Sequence, residues 1–295
     1  MDTLYFTGHE TFYCRNYWLK KGLDLLWTGK KFNEEAVVEL GVGKNMVNAI
    51  RFWLKAFALV DEEEQPNELA EFIFHDEKGI DPFIEDPATI WLLHYYLVTQ
   101  KRASIYHFVF NIFRKQRIEF NEDQLITFLN RKVEESGQNI HSSSIKKDAR
   151  VFLQNYLLPT KTKGIEDDFS RLLYELELVQ RFHKGEERDA KNNKQPWWFR
   201  IDNKFRADLP YEVVLYCIKE NPAYGNAISF RQLSSDQDSV GTVFALSDSG
   251  LMHKIEQVVK NHSEKAVFTD DGGVRVLQFK SDIDHKAILK KYYGK

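Results

Sequence analysis

Two neighbouring segments of this chain, within residues 33–57, carry apolar residues at helical spacing. The first begins at Asn33, whose side chain is suited to capping a helix, and its apolar positions are Ala36, Val37 and Leu40. Gly41 and Gly43 follow and permit a sharp turn. The second segment places its apolar residues on one helical face, at Met46, Val47, Ile50, Leu54 and Phe57. The pattern therefore predicts a helix-turn-helix.

The second helix of this unit also has a polar stripe without an acidic residue. The members of this basic stripe, at intervals of four, three and four residues, are Lys44, Asn48, Arg51 and Lys55. A recognition helix uses cations to hold phosphates and amide or guanidinium groups to read base edges. We therefore predict that the basic stripe and the adjacent Asn45 bind DNA. The alternative is a winged-helix packing unit whose basic face is only solvated, because many such units bind protein alone.

Hydrophobic periodicity predicts further helices in the N-terminal part of the chain. Residues 4–27 and 105–117 have mainly helical patterns, and residues 68–79 are predicted to form a wing. Asp86 followed by Pro87 predicts another helix start, because Asp is a favoured cap and Pro suits the first helical position.

A second helix-turn-helix is predicted after residue 120. Asn121 can cap a helix that reaches Val133, and the next helix has the sequence SIKKDARVFLQNYL. The outward-facing cations of that helix, which we add to the predicted DNA-binding residues, are Lys146, Lys147 and Arg150.

The C-terminal part predicts a third unit. Three helical patterns, at residues 211–219, 230–234 and 247–261, precede the string AVFTDDGGVRVLQF. That string alternates around Asp271 and Gly272, as the two strands of a β-hairpin do. Three helices closed by a hairpin make a winged helix.

The predicted fold class is mainly α with short β-hairpins, built from multiple winged-helix or helix-turn-helix units. The three predicted regions are residues 1–118, 119–205 and 206–295. Within the second region, the pattern also predicts a short amphipathic helix, a charged loop and a strand, at residues 169–180, 183–195 and 197–201.

Composition limits the classes of function. Hydrophobic residues make up 43% of the 295 residues, which is typical of a globular protein. The net charge of −3 means that any DNA binding must come from local basic patches. The two cysteines form no CxxC pair, so neither a structural zinc site nor a disulfide framework is expected. The sequence has no signal-peptide pattern and no membrane-spanning run, so we expect a cytoplasmic protein.

The N-terminal string FTGHETFYCRNYWLKKG concentrates groups that can take part in catalysis. His9 and Glu10 can act as a base or bind a metal or water, and Arg15 can hold a phosphate. The spacing excludes an HExxH zinc site. Alternatively, Thr7 or Glu10 caps the first helix, and His9 is a hydrogen-bonded structural residue.

A second cluster of carboxylates lies in the string GIDPFIEDP, at Asp81, Glu85 and Asp86. Clustered carboxylates can hold Mg²⁺ for phosphoryl transfer. Capping by Asp86 and a turn at Asp81 explain the same residues without a metal. The sequence lacks the phosphate-binding, dinucleotide-binding and serine-hydrolase motifs, which argues against an ATPase, a dehydrogenase or a hydrolase.

Three strings together resemble one known family: FTGHETFYCRNYWLKKG, LGVGKNMVNAIRFWLKAF and GIDPFIEDPATIWLLHYYL. The family is the one catalogued as domain of unknown function 4007, which includes SspB-like proteins encoded with DNA phosphorothioation and phage-defence genes. The resemblance covers nearly the whole chain. It implies a DNA-acting component of such a system, with nicking endonuclease activity attributed to SspB-like members. The residues that match its motifs are Gly8, His9, Glu10, Thr11, Phe12 and Arg15, then Gly41, Gly43, Lys44, Asn45, Met46 and Arg51.

Three functions are compatible with these observations. The first is a DNA-binding subunit that delivers double-stranded DNA to a sulfur-inserting, reductase-like enzyme and other defence-cluster proteins. The second is a nickase that opens a strand for sulfur insertion, with His9, Glu10 and Arg15 as catalytic residues and Mg²⁺ or Mn²⁺ as the expected cofactor. The third is a non-catalytic winged-helix adaptor that binds protein partners in the same system.

Overall fold

The computed structural model describes residues 3–159, 171–185 and 195–295. Helices dominate these residues, and short strands form two three-stranded antiparallel sheets, so the predicted mainly α fold with short β-hairpins is confirmed. The chain divides into two compact units, the first comprising Met1–Ile84 with Tyr96–Asp202 and the second Glu85–Tyr95 with Asn203–Lys295. None of the helices in the described ranges combines the length and the apolar character needed to cross a membrane.

The predicted helix-turn-helix lies in the first unit. The helices of this part are α1 (Trp18–Trp27), α2 (Ala36–Leu40) and α3 (Lys44–Ala56). Asn33 Oδ1 accepts hydrogen bonds of 3.1 and 3.3 Å from the amides of Glu35 and Ala36, as expected of a capping residue. Gly41 then takes the left-handed conformation, with φ of +62°, that ends α2. The buried face of α3 comprises Val47, Ala49, Ile50, Trp53, Leu54 and Ala56.

Residues 4–17 do not form the N-terminal helix that their apolar pattern predicts, because α1 begins only at Trp18. Positive φ angles between +49° and +97° occur at Thr7, Gly8, Glu10 and Thr11. A right-handed helix cannot contain these angles. Neither Thr7 nor Glu10 caps α1, since the residue at its N-cap position is Tyr17.

The wing predicted for residues 68–79 is also wrong, because this stretch contains helix α4 (Glu68–Phe74). Asn67 caps α4 by accepting hydrogen bonds of 3.1 Å from the amides of Leu69 and Ala70. The buried residues of α4 are Ala70, Ile73 and Phe74, which are spaced as on a helix and not as on a strand.

Helix α5 (Pro87–Thr99) begins where the sequence predicts. Asp86 Oδ1 accepts a hydrogen bond of 2.8 Å from the amide of Ala88, so Asp86 is the cap. The helical stretch predicted for residues 105–117 is present in three consecutive parts: α6 (Ser104–Phe108), a π-helical turn (Val109–Phe113) and α7 (Arg114–Gln116).

The second pair of predicted helices is present as α8 (Glu122–Ser136) and α9 (Ser142–Tyr156). Asn121 and Gln124 cap α8 reciprocally, each side chain bonding to the backbone of the other residue, so the predicted cap is confirmed. Phe152 of α9 packs against the ring of Tyr106, with centroids 5.4 Å apart, in the aromatic core of the first unit.

The sheet of the first unit has the strand order β1-β3-β2, and its strands are β1 (Glu119–Phe120), β2 (Gln180–His183) and β3 (Trp197–Arg200). The predicted strand at Trp197 and Trp198 is therefore confirmed. The helix predicted for residues 169–180 is wrong where it is described, because a short 3₁₀ turn (Tyr174–Leu176) and the start of β2 replace it. Residues 169–170, and residues 186–194 of the predicted charged loop, lie outside the described residues.

The second unit contains the three predicted C-terminal helices and the hairpin. Its helices after α5 are α10 (Tyr211–Glu220), α11 (Phe230–Ser235), α12 (Val240–Val243), α13 (Asp248–Asn261) and α14 (His285–Tyr292). Its sheet has the order β4-β6-β5, with β4 (Ala227–Ser229), β5 (Ala266–Asp271) and β6 (Val274–Phe279). The turn residues Gly272 and Gly273 have φ of +59° and +84°, which a tight hairpin turn requires.

Candidate nucleic-acid interface

The N-terminal motif forms a loop, here named the TGHET loop (residues 7–11), that one buried carboxylate anchors. The amide of Thr7 donates hydrogen bonds of 3.1 and 2.8 Å to the two oxygens of Asp148, and His9 Nε2 bonds to Asp148 Oδ1. Asp148 lies on α9 and is only 4% exposed. These bonds stabilise a backbone that would otherwise be strained. Asp148 was not among the residues predicted from sequence.

His9 is a buried histidine whose two ring nitrogens both have partners. Nδ1 accepts a hydrogen bond of 3.1 Å from the amide of Thr11, so we assign the proton to Nε2, which faces Asp148. The imidazole lies edge-on to Phe52 and nearly parallel to Trp53, with centroids 5.5 and 6.3 Å away. Because Trp53 belongs to α3 and Asp148 to α9, His9 connects the two helices that carry the predicted DNA-binding residues.

Gly8 permits the close approach of the TGHET loop to α3. Its φ is +97°, and a Cβ at this position would lie 2.6 Å from Cδ2 of Phe52. Any side chain here would have to displace the Phe52 ring or move the loop away from α3.

The three predicted catalytic side chains have different surroundings. Glu10 is exposed, whereas His9 is 4% exposed and faces Asp148. The Arg15 guanidinium lies over the rings of Trp18 and Tyr13, with its carbon 5.4 and 5.9 Å from their centroids. Arg15 also pairs through its backbone with Arg171. Of the three, Glu10 is the side chain most accessible to a large ligand.

The start of α3 presents polar groups to solvent. Lys44, Asn45 and Arg51 are exposed, whereas Asn48 and Lys55 are half-buried. Gly43 occupies the N-cap position in an extended conformation and has no side chain that could accept a hydrogen bond from the first amides. The positive end of the helix dipole therefore lies beside the ammonium group of Lys44 and the amide of Asn45.

An acidic residue outside α3 neutralises part of the charge of the basic stripe. Glu64 Oε1 lies 2.5 Å from Arg51 Nη2 and 2.6 Å from Lys55 Nζ. Burial raises the pKa of the Glu64 carboxyl, but hydrogen bonds from Lys55 and Arg51 outweigh this effect, and the pKa is lowered overall. Glu64 holds this position with a left-handed backbone, φ of +65°, in the acidic loop that follows α3. Glu64 therefore offsets one of the two positive charges carried by Arg51 and Lys55, and the charge of Lys44 is separate from this pairing.

The predicted cations of α9 divide in the same way. Lys146 and Lys147 are exposed, and no ion pair joins them to another residue within the described ranges. Arg150 is exposed too, but its Nε lies 3.1 Å from Glu122 Oε1 of α8. Asp148, between these cations in sequence, points inward to the TGHET loop.

The carboxylates of the GIDPFIEDP string are not equivalent. Asp81 is 5% exposed, and Glu85 is exposed. Asp86 caps α5 and also accepts a hydrogen bond of 3.3 Å from the hydroxyl of Tyr292. Across the described residues, no group of three or more His, Cys, Asp and Glu side chains is arranged to hold a metal ion.

Comparison with known proteins agrees with the resemblance inferred from sequence. The chain is similar to a magnesium ion-bound SspB crystal structure at 26% identity, with a TM-score of 0.81, over 98% of this chain and 88% of that chain. A second SspB crystal structure gives 25% identity and the same TM-score and coverage. No curated protein matches the chain significantly. The family described as protein of unknown function (DUF4007) matches residues 6–293, and the chain therefore belongs to this family and is SspB-like.

Proposed function

We propose that this protein is the DNA-binding component of a DNA phosphorothioation-type modification and defence system. The observation that carries the proposal is the exposed, acid-free start of α3, with Lys44 and Asn45 at a helix N-terminus that has no side-chain cap. Helix N-termini and Lys side chains bind phosphate, and Asn side chains bind base edges. The SspB-like fold supports assignment to such a system.

The proposed surface extends from α3 across the TGHET loop to α9. His9 ties the loop to Trp53 of α3 and to Asp148 of α9, so the loop contacts both helices that carry the proposed cations. Cations held at a fixed spacing contact successive backbone phosphates better than mobile ones, because less conformational entropy is lost on binding. The remaining predicted DNA-binding cations, Arg51, Lys55 and Arg150, would join this surface only if DNA phosphates replaced Glu64 and Glu122 as their partners.

The left-handed backbone of the TGHET loop supports a functional role for the motif. Residues held in this conformation cost about 1–3 kcal/mol each and are typical of ligand-binding sites. Thr11 is β-branched and has φ of +68°, a conformation that such residues rarely adopt. The loop thus exposes Glu10 and Thr11 in a fixed geometry beside α3.

Strand nicking is the catalytic part of the proposal. His9 is suited to positioning the loop and not to proton transfer, since both of its nitrogens are engaged. Glu10 is the exposed carboxylate that could bind Mg²⁺ or Mn²⁺ or accept a proton from water, and Arg15 would hold the phosphate. The similarity to a magnesium ion-bound SspB structure supports a test with this ion.

The experiment incubates the protein with supercoiled plasmid in the presence and absence of Mg²⁺ or Mn²⁺, alongside a mobility-shift assay with linear duplex. We expect a shifted duplex in every case, and an open-circular plasmid product only with the divalent ion. A shifted duplex without the open-circular product would support DNA binding and argue against nicking activity. Absence of both at low salt would overturn the proposal and favour the adaptor that binds protein partners.

A further inference from the structure

One face of the small sheet in the first unit combines aromatic and cationic side chains. In the β2–β3 pair, Arg181 lies opposite Phe199 and His183 opposite Trp197, so these four side chains share one face. The Arg181 guanidinium carbon lies 4.7 Å from the centroid of the Trp197 ring. The same ring stacks on the imidazole of His183, with centroids 3.7 Å apart.

This face opens onto a cavity of about 300 Å³. The cationic and aromatic part of the cavity wall is formed by Arg171, Arg181, Trp197 and Phe199. The opposite wall comes from the C-terminal end of α9 and the residues that follow it, and is mostly apolar, with Leu153 and Leu157 as representatives. A volume of this size is at the lower end of the range of small-ligand sites, about 300–1,000 Å³.

The described lining of the cavity carries positive charge. Among the residues that the structure describes, it contains two guanidinium groups and no carboxylate. The guanidinium of Arg171 is held in place by donating hydrogen bonds of 2.7 Å to the carbonyl oxygens of Gln154 and Leu157. Arg181 is half-buried, and burial lowers the pKa of its guanidinium, which nevertheless stays protonated at physiological pH. A partly desolvated cation beside an apolar wall favours a ligand that is both anionic and planar.

The opposite face of the same sheet also carries aromatic and cationic residues, but its arginine has an acidic partner. Trp198 and Arg200 belong to β3 as well, yet Arg200 Nε lies 3.1 Å from Asp202 Oδ2 and 3.0 Å from Gln180 Oε1. Asp202 therefore neutralises Arg200 on that face. The two faces supply a matched comparison within one strand.

We propose that this cavity binds one unpaired nucleotide of a DNA strand, with the base between the apolar wall and Arg181 and the phosphate at the guanidinium groups. Guanidinium planes and aromatic rings stack on bases without sequence preference, and every nucleotide supplies an anionic phosphate. The proposal rests on the proposed DNA-binding function and adds a second contact to it. A protein that acts on one strand of a duplex gains from holding a displaced nucleotide, because an unstacked base is otherwise costly.

The test compares two short duplexes that differ only in one extra, unpaired 2-aminopurine nucleotide, at one salt concentration. We expect the wild type to bind the bulged duplex more tightly and to quench the fluorescence of its 2-aminopurine. In Arg181→Gln and Trp197→Ala, the affinity for the bulged duplex should fall by roughly 5- to 150-fold, so the preference for it is lost. Both variants should bind the intact duplex as the wild type does. The matched variants Arg200→Gln and Trp198→Ala should keep it. Arg181→Gln preserves a long side chain, so it remains informative if Trp197→Ala lowers the melting temperature.

Equal binding of both duplexes by the wild type, without quenching, would overturn the cavity proposal and leave the DNA-binding function intact. The same conclusion follows if the variants of both faces behave alike. If neither duplex binds, the proposed function itself fails, and free 2-aminopurine nucleoside monophosphate becomes the probe. Quenching of this nucleotide by the wild type and not by Arg181→Gln would then support the cavity as a nucleotide site, and no quenching would overturn it.

Discussion

Asp148 is the residue on which the geometry of the TGHET loop depends. It accepts hydrogen bonds from the Thr7 amide and from His9, and it is almost completely buried. The sequence pattern could have predicted that Asp148 is buried, because it lies three residues after Ile145 and four before Phe152, on the apolar face of α9. A lone acid on a buried helical face needs a partner. Sequence could not name that partner, which is more than a hundred residues away in the chain.

Asp148→Ala should lower the free energy of unfolding by about 2–4 kcal/mol, because it leaves the half-buried Thr7 amide and the buried His9 ring without an acceptor. Denaturant unfolding of wild type and variant measures this difference. Glu134→Ala on the exposed face of α8 is the control and should stay within about 0.5 kcal/mol of the wild type. If both variants are equally stable, the loop is not held by Asp148.

Glu10 is the clearest test of catalysis by the motif. Glu10→Gln keeps the size of an exposed side chain and removes its charge, so the melting temperature should hardly change. If Glu10 binds a divalent ion or activates water, plasmid nicking should fall by about 10²-fold or more while the mobility shift persists. Unchanged nicking in Glu10→Gln would remove Glu10 from the mechanism. His9→Ala is less informative, since loss of a buried anchor lowers stability as well.

At the scale of elements, local patterns predicted helices and hairpins well where local interactions decide them. The helix-turn-helix, the Asn121 cap of α8, the Asp86 cap and the hairpin at Gly272 all follow from short sequence signals. The helix predicted for residues 4–17 is absent because hydrogen bonds to Asp148 and Asn155 hold that segment in another conformation. The helix predicted before β2 is absent because Arg171 pairs with Arg15 and the amide of Leu172 donates a hydrogen bond to the carbonyl oxygen of Cys14. Both failures come from contacts distant in sequence.

The acidic loop after α3 shows the same limit in the candidate site. Its acidic composition is plain from the sequence, but the pairing of Glu64 with Arg51 and Lys55 requires the fold. Counting only the residues of α3 therefore overestimates the positive charge that the basic stripe would present to DNA. Under the proposed function, Glu64 would therefore limit how many cations of α3 can contact phosphates.

Glu64→Gln should strengthen DNA binding and steepen its salt dependence, by up to about 1.8 in log–log slope, as Arg51 and Lys55 become available. Fluorescence anisotropy with a labelled duplex over a salt series measures both effects. Glu63→Gln is the matched control, since it makes the same charge change at the preceding, exposed residue. Identical behaviour of the two variants would show that Glu64 does not restrain the stripe.

The same ion pairs have a defined pH dependence. Because the folded pKa of Glu64 is lowered, its pairing stabilises the protein fully above the ordinary value of 4.5. This stabilisation is lost as pH falls through the lower, folded pKa. The stability difference between wild type and Glu64→Gln should therefore disappear in that acidic range, and should stay below about 1 kcal/mol at neutral pH.

Because the whole molecule has a net charge of −3, any attraction of DNA would depend on where the cations lie on its surface. Non-specific attraction of DNA to the entire surface would be weak, so under the proposed function affinity would depend on local cations such as those of α3 and α9. The division of the chain into three regions remains a prediction, as does the assignment of the C-terminal helices and hairpin to a winged helix that contacts DNA.

Contact between the start of α3 and the DNA backbone is best measured by the salt dependence of binding for Lys44→Ala. One lost phosphate contact should flatten the log–log slope by about 0.9 and weaken binding at low salt. Lys78→Ala, at an exposed turn after α4, removes the same charge and should leave the slope and the affinity at the wild-type values. A Lys44→Ala variant that is folded and matches the wild type in slope and affinity would contradict the account.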